Sequence, residues 1–73
     1  MIRILQLGSS DWSKQYELPN YIDFSYTEHF VEAPRSPYDI VFVARKLLGR
    51  EMNELMKATK ATQRLDLSAS DYQ

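Results

Sequence analysis

The run Ile40-Val41-Phe42-Val43-Ala44 is β-branched or aromatic almost throughout and contains no polar residue. Such a run belongs in the middle of a β-sheet covered on both faces, because a strand with one wet face alternates instead. Only 73 residues are present to provide that cover. They allow one small domain at most, and a domain of this size buries only about 60% of the surface its unfolded chain exposes. The usual reinforcements are missing as well. With no cysteine and a single histidine, His29, the chain can build no disulfide framework, no thiolate metal site and no site that needs two imidazoles.

Around the apolar run the sequence reads as alternating strands and helices. Ile2 to Leu7 is apolar on both sides and ends in Gly8, as expected of a buried strand. Ser9, Ser10 and Asp11 then offer turn and helix-cap chemistry, predicting a short helix from about Asp11 to Tyr16 that stops before Leu18-Pro19. From Tyr21 to Thr27 the chain alternates, with Ile22, Phe24 and Tyr26 on one side, which predicts a half-buried strand near an edge. Glu28 to Pro37 carries two prolines and reads as a loop, and Tyr38 to Ala44 is the central strand. Leu48, Met52, Leu55 and Met56 recur at helical spacing and predict a helix over Gly49–Ala61. Beyond Ala61 the chain turns polar. Arg64–Leu67 is long enough for a brief strand, and Ser68–Asp71 reads as a frayed end.

The order β-α-β-β-α predicts a small, Rossmann-like α/β domain over residues 1–61, followed by a polar tail over 62–73. Its sheet is expected to have three largely parallel strands, with the direction of the second left open. One main C-terminal helix covers only one side of such a sheet, so the unit looks incomplete. The stripe Leu48, Met52, Leu55 and Met56 is the expected interaction face, because an apolar helix face and unpaired sheet edges normally find another chain. A homo-oligomer or a protein partner follows from that expectation.

Few residues are arranged for chemistry. Gly8, Ser9, Ser10, Asp11 and Trp12 follow the first strand, where open α/β sheets bind ligands, and they are the candidate ligand-binding turn. Only Gly8 of the three glycines in a dinucleotide fingerprint is present, and no Lys followed by Ser or Thr marks a phosphate loop. Neither serine sits in a G-x-S-x-G elbow that would pair it with His29 and a carboxylate as a hydrolase nucleophile. Glu28, His29 and Glu32 lie close in sequence, but Phe30-Val31 and two following prolines argue against the helical spacing that aligns metal ligands. No catalytic residue, metal site or cofactor is therefore assigned, and the expectation is that the chain is not an enzyme.

Charge is divided along the chain. Residues 1–40 hold three basic and six acidic side chains, and residues 41–73 hold six basic and four acidic, for a net charge of −1. Arg45, Lys46, Arg50, Lys57, Lys60 and Arg64 read as a solvated helix side rather than a nucleic-acid surface, since no aromatic residues interleave with them. The longest apolar run is five residues, far short of the roughly 20 that span a bilayer. With no signal-like N-terminus, a cytoplasmic location is expected.

The opening Met1-Ile2-Arg3-Ile4-Leu5-Gln6-Leu7-Gly8, the following Ser10-Asp11-Trp12-Ser13 and the strand Pro37–Ala44 together resemble the N-terminal segment of a known family. That family is the acyltransferase-like accessory proteins of the accessory Sec system, through which Gram-positive bacteria export serine-rich glycoprotein adhesins. The resemblance covers about residues 1–61. It implies a cytoplasmic partner of the export and glycosylation machinery, with peripheral membrane association. The family's hydrolase-like triad lies further along its chain, so the resemblance carries no catalytic residue to any position here. The family pattern places another strand after the helix, where this chain has the polar Thr62–Gln73. That departure leaves two alternatives open, a working family member and a truncated or frame-altered product.

Overall fold

A computed structural model of the chain describes residues 1–66. Four strands, β1 (Ile2–Leu7), β2 (Ile22–Thr27), β3 (Ile40–Val43) and β4 (Gln63–Asp66), form one sheet in the order β2-β1-β3-β4. All pairings are parallel. The helix α1 (Gly49–Thr59) links β3 to β4. The α/β architecture read from the sequence is present, with β2 at an edge, parallel to β1, and one strand more than expected. The extra strand begins at Gln63, so the sheet continues past residue 61 and a strand does follow the helix. The expected frayed end at Ser68–Asp71 lies outside the described residues.

The two faces of the sheet have different fates. Side chains alternate along each strand, so Leu5, Leu7, Val41 and Val43 share one face, and all four are fully buried with Leu55 of α1. The β2–β3 connection adds Ala33 and Tyr38 to this core. The opposite face presents Ile4, Phe24, Ile40 and Phe42 half-buried, with Ile2 and Leu65 exposed. Its cover is a three-residue 3-10 turn at Trp12–Lys14, where the expected helix over Asp11–Tyr16 is cut short. Trp12 packs edge-on against Phe42 with ring centroids 5.3 Å apart. Phe24 and Phe42 thus sit on the poorly covered side, while Tyr38 is in the core.

Topology explains this asymmetry. The chain leaves β1 toward β2 and later passes back over β1 to β3, then on to β4. Right-handed crossovers in opposite directions run over opposite faces of a sheet. The β2–β3 and β3–β4 connections therefore share the core face, and only the β1–β2 connection remains for the other.

Hydrogen bonds lock the helix and the strand starts together. The Tyr38 amide donates to Thr59 O at 2.8 Å, and the Thr59 hydroxyl donates to Leu55 O at 2.8 Å. At the N-terminal edge the Arg3 and Asp39 backbones join at 2.8 Å, and the Arg3 amide also donates to the Asp39 carboxylate at 2.8 Å. The Arg3 guanidinium lies 4.4 Å from the Tyr38 ring centre and donates to Asp23 at 3.1 Å. The Tyr38 hydroxyl reaches the Ser25 hydroxyl at 2.9 Å, so every element near this edge is tied to β1 or β3.

The helix stripe is used unevenly. Leu55 is fully buried and Met52 packs against the core, whereas Met56 is half-buried and Leu48 is 55% exposed just before the helix. Leu55→Ala is expected to cost about 2–5 kcal/mol by opening a cavity under α1, and Leu48→Ala less than about 0.5 kcal/mol. Urea titration of the two variants checks the difference.

Candidate functional site

The turn Gly8–Trp12 lies outside the carboxyl ends of the strands, where β1 is followed by neighbours on both sides and open α/β sheets place their ligands. Its backbone is unusual. Gly8 has φ +85° and Ser9 φ +67°, two successive left-handed residues. A side chain at Gly8 would bring its Cβ to 2.7 Å from the Arg45 Cβ and 3.3 Å from the Ala44 carbonyl oxygen. Glycine is required there both for its conformation and for the close approach of the β3 exit.

What holds the turn is Gln6, a fully buried polar residue at the end of β1. Its Nε2 donates to Gly8 O at 2.6 Å and to Ser10 O at 2.8 Å, while its Oε1 accepts from the Trp12 amide at 3.1 Å. The Asp11 carboxylate caps the 3-10 turn by accepting from the Ser13 amide at 2.9 Å and the Ser13 hydroxyl at 2.6 Å. The Ser10 hydroxyl accepts from Gln15 Nε2 at 3.1 Å. The Ser10 hydroxyl and the Asp11 carboxylate are thus engaged within the chain. Sequence reasoning missed Gln6, although a lone glutamine in an apolar strand directly before a glycine is the visible signal.

The other candidates fall apart in space or are already engaged. Glu28 accepts from the Tyr26 hydroxyl and pairs with Arg45 at 3.2 Å. His29 is exposed ahead of a second 3-10 turn at Phe30–Glu32, and no hydrogen bond joins it to Ser9 or Ser10 among the described residues. Among those residues no group of three or more His, Cys, Asp or Glu side chains is placed to hold a metal ion. No described helix is long and apolar enough to cross a membrane.

A separate groove was not foreseen. A cavity of about 600 Å3 lies between α1 and the β2–β3 connection, lined by Arg35, Arg50, Asn53, Glu54, Lys57 and Ala58. The sequence placed Arg50 and Lys57 on one helix side but gave no reason to bring Arg35 beside them.

Comparison with known protein families, with curated proteins and with solved structures finds no match.

Replacing Gln6 by leucine strands the Gly8 and Ser10 carbonyls and the Trp12 amide, at an expected cost of about 1–3 kcal/mol. The Trp12 emission should then move to the red as the ring loses its seat. Urea titration followed by fluorescence reads both effects. The hydrogen bond to Glu28, then burial and the Glu28 charge, hold the Tyr26 phenol above its ordinary value of 10.0. That bond supports the fold below the ordinary value and is lost as pH rises through the higher one. In a 295 nm absorbance titration Glu28→Gln should shift one phenol downward and leave the others in place.

Proposed function

We propose that this chain is a non-catalytic interaction module whose sheet face opposite α1 is covered by a second copy of the chain. The carrying observation is the make-up of that face. Ile4, Ile22, Phe24, Ile40, Phe42 and Leu65 are half-buried or exposed there, and the only polar side chains interleaved with them are those of Gln6, Tyr26 and Gln63. The opposite face, by contrast, carries Arg3, Asp23 and Arg64. Since the strands present no charged side chain on the first face, two copies can meet on them without repulsion. A two-fold axis pairs identical patches, which suits a uniform apolar surface better than a patterned one. Contiguous apolar surface of this kind marks an interaction site in a soluble protein.

The resemblance of residues 1–61 to the accessory Sec proteins supports a more specific reading. On it the module serves the cytoplasmic export machinery for serine-rich glycoproteins, at the membrane surface but without a span of its own.

A second reading rests on the location of the Gly8–Trp12 turn at the reversal of strand order. It makes the turn a small-ligand or acyl-transfer site of a larger α/β enzyme. An anion, nucleotide or acyl donor that changes Trp12 fluorescence supports that reading. Silence across such a panel, with Ser10→Ala leaving every signal unchanged, retires it.

Sedimentation equilibrium at micromolar concentration tests the first reading and is expected to return the mass of a dimer. Phe24→Lys and Ile22→Thr, both on the edge strand β2, should shift the population toward monomer while the far-ultraviolet circular dichroism is retained. A folded, strictly monomeric wild-type chain would overturn it.

A further inference from the structure

We propose that the groove between α1 and the β2–β3 connection binds an acidic peptide segment of a partner protein, whose carboxylates are taken by Arg35, Arg50 and Lys57. This groove lies on the solvent side of α1, across the molecule from the uncharged sheet face, and the proposal is independent of how that face is covered. Three cationic side chains line it against the one carboxylate of Glu54. The cationic groove thus stands out in a chain whose net charge is −1.

Arg35 is set in place before any partner arrives. Its guanidinium stacks 4.9 Å from the Phe30 ring centre, donates to Ala33 O at 2.9 Å and pairs with Glu54 at 3.1 Å. A fixed guanidinium loses less freedom on binding than a mobile one, so part of the ordering cost is already met by the fold. Glu54 uses Arg35, while no carboxylate pairs with Arg50 or Lys57 among the described residues. The groove therefore presents two unneutralised cations beside an oriented third.

The spacing suits an extended segment. Arg50 and Lys57 are seven residues apart on α1 and so about 10 Å apart along its axis, roughly three residues of extended chain. Asn53 lies between them and offers both a donor and an acceptor to a passing peptide backbone. A single phosphate would meet only part of a groove in which Arg50 and Lys57 stand about 10 Å apart. A nucleic-acid strand would require exposed rings for stacking, and no aromatic residue lines the groove. Carboxylates on a peptide satisfy both the charge and the length.

The experiment is fluorescence polarisation of the full chain with a labelled peptide of alternating glutamate and serine. The matching lysine–serine peptide, a single-stranded oligonucleotide and inorganic phosphate as competitor form the comparison arms. Saturable binding of the acidic peptide is expected, with none of the lysine peptide and little competition by phosphate. Arg50→Glu and Lys57→Glu should each weaken binding about fivefold to tenfold. Lys14→Glu makes the same change of charge in the 3-10 turn on the opposite face, and should weaken it less than about twofold. Lys57→Gln, which only removes a charge, should fall between these limits, and circular dichroism verifies that each variant is folded. Absence of saturable binding would overturn the proposal, as would equal weakening by Lys14→Glu, tighter binding of the oligonucleotide, or full competition by phosphate.

Discussion

Among the described residues, the cluster of Leu55 with Leu5, Leu7, Val41 and Val43 is where a continuous apolar surface is removed from water. Every other element is positioned by reference to it. The helix stands where Leu55 meets the sheet, and the bond from the Tyr38 amide to Thr59 fastens the helix end to the start of β3. Tyr38 in turn carries the Arg3 guanidinium on its ring, which brings Asp23 and so β2 into register. The ion pair itself is more than a third exposed and contributes little energy of its own. Its role is to align an edge strand whose position the buried face has already decided.

A core on one side of a sheet is a consequence of which connections cross each face and of the structure they contain. The β3–β4 connection contains an eleven-residue helix, whereas the β1–β2 connection contains a three-residue turn. Both must cross a sheet of the same width. A helix of eleven residues is about 16 Å long and covers most of a short strand; a single 3-10 turn covers little more than one ring, and here that ring is Phe42. The face beneath it keeps its isoleucines and phenylalanines nonetheless. Side chains suited to burial are thus retained on a surface the chain does not itself bury, and that mismatch motivates the proposed dimer.

Much of this was legible from the residues. The Ile40–Ala44 run announced an interior strand, the alternation of Tyr21–Thr27 an edge strand, and the Met52/Leu55 spacing a helix against the sheet. The shortage of cover was legible too, but its location was not. Read alone, Leu48, Met52, Leu55 and Met56 form a stripe in search of a partner; in space Leu55 and Met52 find theirs within the sheet, and the open surface moves to the opposite face. Periodicity says that a helix has an apolar side but not which of several apolar surfaces that side will meet. The strand after Ala61 was harder still. Arg64–Leu67 offered only a brief alternation, and β4 (Gln63–Asp66) forms because the free edge of β3 offers backbone partners that outweigh weak local preference.

The candidate turn was found in sequence from its position after the first strand, and the structure adds what holds it. Ser9, Ser10 and Asp11 look like donors and acceptors awaiting a ligand. What closes the turn is a residue two places before Gly8 on the strand itself, since the Gln6 amide reaches forward to two carbonyls and one amide of the turn. A buried amide with three partners in one turn fixes the backbone without help from outside, and it can do so only because Gly8 and Ser9 take up left-handed conformations that fold the chain back over the strand. The turn is thus held from within, while at the groove beside Arg35 no carboxylate pairs with Arg50 or Lys57 among the described residues. Unmet charge and unburied apolar area both lie away from the strand ends, and it is there that this fold has interactions left to make.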